Sequence, residues 1–188
     1  MLPEMHDAMR RALTTLIAVT GVLAICTCQT RAQSANAAVT GGAREIARHG
    51  AWVVMAAADA ASRICFATTQ PKSSVPADAR REPPYIYISA WPRDGVRAEV
   101  SVAGGVAYRS GSSVTLTIGQ NNFVLFTAGD RAFVADPTTE LKLIDAMRKG
   151  SSMLVKSVYD SGALVTDTYS LAGLTPTLAA INQACGAP

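Results

Sequence analysis

The central part of the chain alternates between apolar and polar positions with a period of two, which is the pattern of half-buried β-strands. The clearest runs are YIYISAW (85–91), VRAEVSVA (96–103) and SVTLTIG (113–119). Turn signals separate such runs every 8–12 residues or so, as in a β-sandwich or barrel. Further strands are predicted in AWVVMAAA (51–58), SRICFATT (62–69), NNFVLFTAG, DRAFVAD and, as a hairpin, SMLVKSVYDSGALVTDTYSL (152–171).

Two short stretches have a helical period instead. In DPTTELKLIDAMRKG, Asp136 and Pro137 form a capping start and Gly150 ends the pattern, which predicts a helix at about 140–149. A second helix is predicted at about 175–185, with Thr175 as its cap and Pro176 in its first position. Its apolar stripe consists of Leu174, Leu178, Ile181 and Cys185. The predicted fold class is therefore mainly β: an antiparallel sandwich or barrel-like domain with two short packed helices.

The beginning of the chain has the composition of a secretory signal peptide. Two arginines precede an apolar run and a stretch of small residues, and cleavage is predicted after Ala32 or, alternatively, after Ala37. Translation starts at Met1 or Met9, and an uncleaved membrane anchor is the alternative interpretation. We expect a flexible segment at 33–50 and one β-rich domain at 51–188. The mature protein is then exported to the periplasm or secreted, with no membrane span.

Charge excludes a nucleic-acid partner. Without residues 1–32, which contain three arginines and two acidic residues, the chain keeps 14 basic and 12 acidic side chains, with no dense basic run. Five basic residues suggest a weak face for an anionic partner, although an ordinary solvated surface is the favoured explanation: Lys72, Arg80, Arg81, Arg93 and Arg97. The polar, proline-rich segment 70–84 is predicted to be an exposed and mobile loop that trypsin cuts first.

Two cysteines remain after removal of the signal peptide. Because an exported protein meets an oxidising compartment, a Cys65–Cys185 disulfide is predicted, with two free thiols as the alternative. The bond would attach the last helix to an early strand and close a loop of about 120 residues.

The sequence contains no recognisable catalytic constellation. His49 is the one histidine after the signal peptide, so no cluster of metal ligands is expected, and no cofactor is predicted. The serines in RSGSSV (109–114) and the glycines in GGVA (104–107) have turn patterns and lack the context of a nucleophile elbow or a phosphate loop. Five carboxylates could pair in space: Glu99, Asp130, Asp136, Asp145 and Asp167.

Three segments resemble the invasion-associated locus B family of exported alphaproteobacterial proteins. They are VRAEVSVAGGVAYRSGSSVTLTIGQNNFVLFTAGDRAFVAD, LIDAMRKGSSMLVKSV and TDTYSLAGLTPTLAAINQAC, and the resemblance runs from about Trp52 to Cys185. Phe133 stands where the family pattern has a tryptophan, and the 70–84 segment is long for the family. The resemblance implies a role in host-cell interaction or envelope binding, with no catalytic residues to carry over.

Two classes of function follow. The first is a non-enzymatic envelope or secreted protein that binds an envelope or host surface component. The second is a periplasmic hydrolase of unfamiliar design that uses paired carboxylates. A pocket joining two of the five carboxylates favours the hydrolase, whereas a filled sandwich without a cleft favours binding.

Overall fold

The computed structural model describes residues 42–57, 64–77 and 80–186. All of them belong to one compact unit, Ala37–Pro188. The predicted signal peptide, its start sites and its cleavage sites lie outside the described residues. Within the described part the chain forms eleven strands and two α-helices: β1 Ala43–His49, β2 Trp52–Ala57, β3 Cys65–Thr69, β4 Ser73–Val75, β5 Tyr85–Trp91, β6 Val96–Ala103, β7 Ser113–Ile118, β8 Asn121–Ala128, β9 Arg131–Phe133, α1 Pro137–Lys149, β10 Ser152–Val158, β11 Leu164–Ser170 and α2 Leu174–Cys185.

All eleven strands belong to one antiparallel sheet in the order β1-β2-β3-β5-β6-β9-β8-β7-β10-β11-β4. The indole Nε1 of Trp52 on β2 donates a 3.2 Å hydrogen bond to the carbonyl of Ser170 on β11, although these strands stand far apart in that order. The sheet therefore folds over on itself and encloses a core, and the mainly β class is confirmed. The strands predicted from alternation are present, and core-facing side chains such as Ile86, Ile88 and Leu116 are fully buried.

Two strands are corrections to the sequence prediction. The segment 33–50 was expected to be flexible, but β1 occupies Ala43–His49 and pairs with β2 on both sides of a β-bulge at Ile46. Similarly, the 70–84 segment contains β4, which pairs with β11. Neither strand has the alternation of a half-buried strand, because β1 is interrupted by a β-bulge at Ile46 and β4 has only three residues. His49 ends β1 and is not part of a flexible start.

The terminal helix α2 packs against β1, β2, β3 and β5, and the predicted disulfide is confirmed. The Sγ atoms of Cys65 and Cys185 are 2.03 Å apart, and the bond attaches the last turn of α2 to the start of β3. Gly186 takes the left-handed conformation that ends the helix, as predicted.

The start and the stripe of α2 differ from the prediction. The helix begins at Leu174 after Gly173, whose φ of 88° is left-handed, so Thr175 is not the cap and Pro176 is not the first residue. A side chain at Gly173 would collide with the carbonyl oxygen of His49, so glycine allows the helix start to approach the β1–β2 turn. The buried stripe includes Thr177, whereas Leu178 is only half-buried.

The first helix fills a gap in the sheet. Strand β9 pairs with β6 at residues 101–103 and with β8 at residues 126–128, so the rest of β6 and β8 has no strand on that side among the described residues. Helix α1 contacts both strands and buries Leu143 and Met147 in the core. Its N-terminus is as predicted, because Asp136 accepts a 2.9 Å hydrogen bond from the Thr139 amide.

Candidate functional sites

A buried ion pair joins the 70–84 segment to the middle of β11. The guanidinium of Arg81 grips the carboxylate of Asp167 with both terminal nitrogens; Nη1 donates to Oδ2 at 2.9 Å and Nη2 donates to Oδ1. The two side chains are 4% and 2% exposed. Ser74 Oγ donates to Asp167 Oδ1 at 2.6 Å and accepts from Arg81 Nη2 at 3.1 Å. These groups, with Tyr159, form what we call the buried network.

Two glycines and two tyrosines build the other side of this network. Arg81 also donates to the Tyr159 hydroxyl, which in turn donates a 3.0 Å hydrogen bond to the Gly104 carbonyl. The Tyr159 ring stacks on Tyr108 with centroids 5.3 Å apart. A side chain at Gly105 would collide with the Glu82 carbonyl, so glycine allows the two segments to meet. The GGVA motif therefore has a packing role in the structure.

The network is satisfied internally. Burial disfavours the charge of Arg81, but hydrogen bonding and attraction from Asp167 outweigh that cost, and the net effect raises the pKa of Arg81. The Tyr159 hydroxyl differs, because there burial itself raises the pKa. Because each of these groups already has its partner inside the protein, holding the fold together is enough to explain the network.

This geometry corrects one member of the predicted anionic-partner face. Little of the Arg81 charge is available to an external anion, since the side chain is 4% exposed and paired with Asp167. The other four residues are on different elements: Lys72 and Arg80 flank β4, Arg93 lies in the 3₁₀ turn Pro92–Asp94, and Arg97 is on β6. Strand β6 is separated from β4 by five strands in the sheet order. A role for these four residues in binding an anion stays a prediction.

A second feature is a cleft of about 430 Å³ between β6 and the first turn of α1. It is lined by three carboxylates, Glu99, Asp136 and Glu140, and we call it the carboxylate cleft. Glu140 Oε1 accepts a 2.5 Å hydrogen bond from the Val100 amide, which β9 leaves unpaired. Burial, with repulsion from Glu99 and Asp136, outweighs that bond and raises the pKa of Glu140 to about 7.

A pocket that joins two of the five carboxylates named from the sequence was expected to favour a hydrolase. The carboxylate cleft meets this condition, because it joins Glu99 and Asp136. The other three are apart from it: Asp167 is in the buried network, Asp130 is in the β8–β9 turn, and Asp145 pairs with Lys149 on the exposed side of α1. Glu140 was missed because the sequence gives no sign that β6 has an uncovered edge there. Within the described part of the chain, no three histidine, cysteine or acidic side chains come together as a metal site would require.

A third feature is a band of rings on the outward face of the sheet. Residues paired across antiparallel strands share a face, and the register joins Tyr87 on β5 to Ser101, Ser101 to Phe133 and Phe133 to Phe126 on β8. We call Tyr87, Phe133 and Phe126 the aromatic row. The rings of Phe126 and Phe133 lie 5.8 Å apart, and Phe126 is 52% exposed.

A cation is fixed within this band. The guanidinium of Arg131 lies 4.8 Å from the centre of the Tyr87 ring, within the range of a cation–π contact. The sequence contained a signal for these outward rings, because tyrosine alternates with isoleucine in YIYIS and the isoleucines are the buried set. The pairing of β9 between β6 and β8, which brings Phe133 beside Phe126, was not predictable from alternation.

Comparison with known proteins agrees with the fold. The crystal structure of invasion associated protein b from Bartonella henselae matches with a TM-score of 0.52 and 13% sequence identity, over 73% of this chain and 95% of that one. No curated protein matches the chain. The family model of the invasion associated locus B (IalB) protein matches residues 52–182, nearly the whole range over which the resemblance was recognised. The chain therefore belongs to the invasion-associated locus B family.

Proposed function

We propose that this chain is an exported, non-enzymatic protein that binds a component of the bacterial envelope or of a host-cell surface. The aromatic row carries the proposal. Its rings lie on the outward face, where they contribute nothing to the enclosed core, and Phe126 keeps half of its surface in solvent. Large aromatic side chains on an exposed surface are typical of binding sites, because they bury much area at a small entropic cost.

Three observations support the exported part of the proposal. Residues 1–32 have the pattern of a signal peptide. The Cys65–Cys185 disulfide is of the kind that persists in oxidising compartments. Membership of the family agrees with export. No helix in the described ranges combines the length and the apolar character needed to cross a membrane.

The experiment has two parts. Cell fractionation with N-terminal sequencing should find the chain outside the cytoplasm and beginning near Gln33, and thiol titration under denaturant should find no free cysteine. Purified protein should then be retained on envelope fractions or host cells, and Phe126→Ala should weaken retention. Leu141→Ala is the matched control, because Leu141 is 71% exposed on α1, away from the aromatic row. A cytoplasmic chain, or equal retention of both variants, contradicts the proposal.

The carboxylate cleft supports a second candidate function, a hydrolase that uses Glu140 and Glu99. A carboxyl group with a pKa of about 7 is suited to donate or accept a proton near neutral pH. However, Glu140 already accepts the Val100 amide and thereby covers the open edge of β6, which explains its position without chemistry. The test is hydrolysis of ester, amide and glycoside substrates by the wild type and by Glu140→Gln. Activity that the substitution abolishes favours the hydrolase.

A further inference from the structure

Beyond the aromatic row, the outward face continues as a regular grid of threonines. The register places Thr115 opposite Val124 and Lys156, and Thr166 opposite Lys156 and Val75. The neighbouring row repeats the arrangement around Leu154. We call these ten residues the threonine face: Val124, Thr115, Lys156, Thr166 and Val75 in one row, and Asn122, Thr117, Leu154, Thr168 and Ser73 in the other.

In the strands that carry the threonine face, and in β9 beside them, the outward charges all have one sign. In β4, β7, β8, β9, β10 and β11, all of which the structure describes, the one carboxylate is Asp167, and it is buried on the inward side. The outward charges of these strands are Lys156 and Arg131. Asp130 and Asp160 are confined to the turns that end β8 and β10. The face therefore complements a partner that carries negative charge.

Rings and hydroxyl groups accompany these cations. Val124 is 61% exposed and lies two residues before Phe126 on β8. Lys156 is two strands away from Val124, a separation of roughly 10 Å at the usual spacing of strands. An extended ligand with widely spaced anionic groups can thus place one of them at Lys156 while another part of the ligand covers Phe126. A single small anion cannot make both contacts.

We infer that the threonine face and Phe126 bind an anionic polysaccharide, and this inference rests on the proposed function as an exported binding protein. The C–H faces of pyranose rings pack on aromatic rings such as Phe126, the threonine hydroxyls exchange hydrogen bonds with sugar hydroxyls, and Lys156 and Arg131 pair with carboxylate or sulfate groups. A surface of small polar side chains with few cations suits a ligand of low charge density.

Other anionic partners fit this face less well. A membrane surface attracts clusters of about four to eight basic residues, and here the strands offer two. A nucleic acid carries one negative charge for every ~1.7 Å of duplex and demands a dense basic surface. On this face the apolar side chains are separated by threonines, which disfavours a lipid surface further.

The test measures binding of the exported chain to four probes at one ionic strength: a sulfated polysaccharide, a carboxylated polysaccharide, uncharged dextran, and vesicles of phosphatidylcholine with phosphatidylglycerol. Lys156→Gln and Phe126→Ala remove one contact of each kind. The matched controls are Lys142→Gln and Leu141→Ala, both on α1 and both exposed. Unfolding midpoints measured in parallel show that each variant is folded.

We expect one or both charged polysaccharides to bind and dextran to bind much less. Lys156→Gln and Phe126→Ala should each raise the dissociation constant at least about five-fold, while the two controls change it less than about two-fold. Equal losses in Lys142→Gln would mean general charge attraction and overturn the inference. Preference for vesicles also overturns it.

Failure of the inference can be distinguished from failure of the proposed function. If neither polysaccharide binds, but the exported chain is still retained on cells through Phe126, the ligand class is wrong and the binding function stands. If the chain is not exported, or if Phe126→Ala does not weaken its retention on cells, the proposed function itself is wrong.

Discussion

Replacing Asp167 with alanine should reveal what the buried network contributes to stability. The substitution leaves the Arg81 guanidinium, 4% exposed, without its counter-ion. Removing one partner of a buried ion pair costs about 3–5 kcal/mol, because the remaining charge is neither paired nor solvated. Ser74 also loses the acceptor of its 2.6 Å hydrogen bond. A domain of this size is stable by about 5–15 kcal/mol in total, so we expect the variant to lose a large share of its stability.

The chain offers a matched exposed pair as the control. On α1, Asp145 Oδ2 and Lys149 Nζ are 2.6 Å apart, but the two side chains are 59% and 75% exposed. Asp145→Ala should therefore cost less than about 1 kcal/mol. The double variant Arg81→Met with Asp167→Leu removes both buried charges and should be much more stable than Asp167→Ala alone.

The free energy of unfolding of each variant is measured by urea denaturation, with circular dichroism as the signal. Limited trypsin digestion gives a second measurement, because cleavage after Arg81 requires the segment to leave β11. The wild type should resist cleavage there, although the sequence predicted that trypsin would cut the 70–84 segment first. In Asp167→Ala this bond should be cut early. If Asp167→Ala costs no more than Asp145→Ala, or if wild-type protein is cut first after Arg81, the reasoning is refuted.

Three further predictions follow from the structure. Folding raises the pKa of Glu140 from 4.5 to about 7, so the folded chain holds this proton more tightly and its stability should fall as pH rises through that window. The fall is about 1 kcal/mol for a half-buried carboxylate, and it should be absent in Glu140→Gln, as thermal unfolding across pH will show. Cys185→Ser should lower stability by up to about 5 kcal/mol, since the disulfide closes a loop with a sequence separation of 120. Reductant should lower the stability of the wild type and leave that of this variant unchanged. Similar unfolding midpoints of the two proteins without reductant would contradict a stabilising disulfide. Ile181→Ala should cost about 2–5 kcal/mol because Ile181 is 2% exposed, whereas Leu178→Ala should cost clearly less; denaturant melts with equal losses would contradict the observed packing of α2.

Alternation predicted the inner strands because their core positions are filled at every second residue. In β7, for example, Val114, Leu116 and Ile118 are all buried, and the polar residues between them face outward. The disulfide was also predictable, since the predicted signal peptide contains two of the four cysteines and the other two allow one pairing. These features depend on local pattern or on counting, and both can be read from a single chain.

The features that escaped prediction depend on long-range pairing. Arg81 looks like any charged loop residue, and nothing near it in sequence reveals that Asp167, 86 positions later, is its partner. The role of Glu140 depends on where β9 ends, because only then is the Val100 amide left without a strand. Strand β4 has three residues, too few to show a period.

The inward face of the sheet determines stability, whereas the outward face is proposed to bind a partner. Effects on binding can therefore be measured separately from effects on folding. Inward groups are packed or paired, so changing Asp167 or Ile181 must alter stability. Outward groups such as Lys156 and Phe126 contribute little to the core, and substitutions at such positions usually change stability by less than about 0.5 kcal/mol. A variant of the outward face that unfolds like the wild type but no longer binds its partner has therefore lost recognition alone. The same loss of binding in a destabilised variant would say nothing about the face.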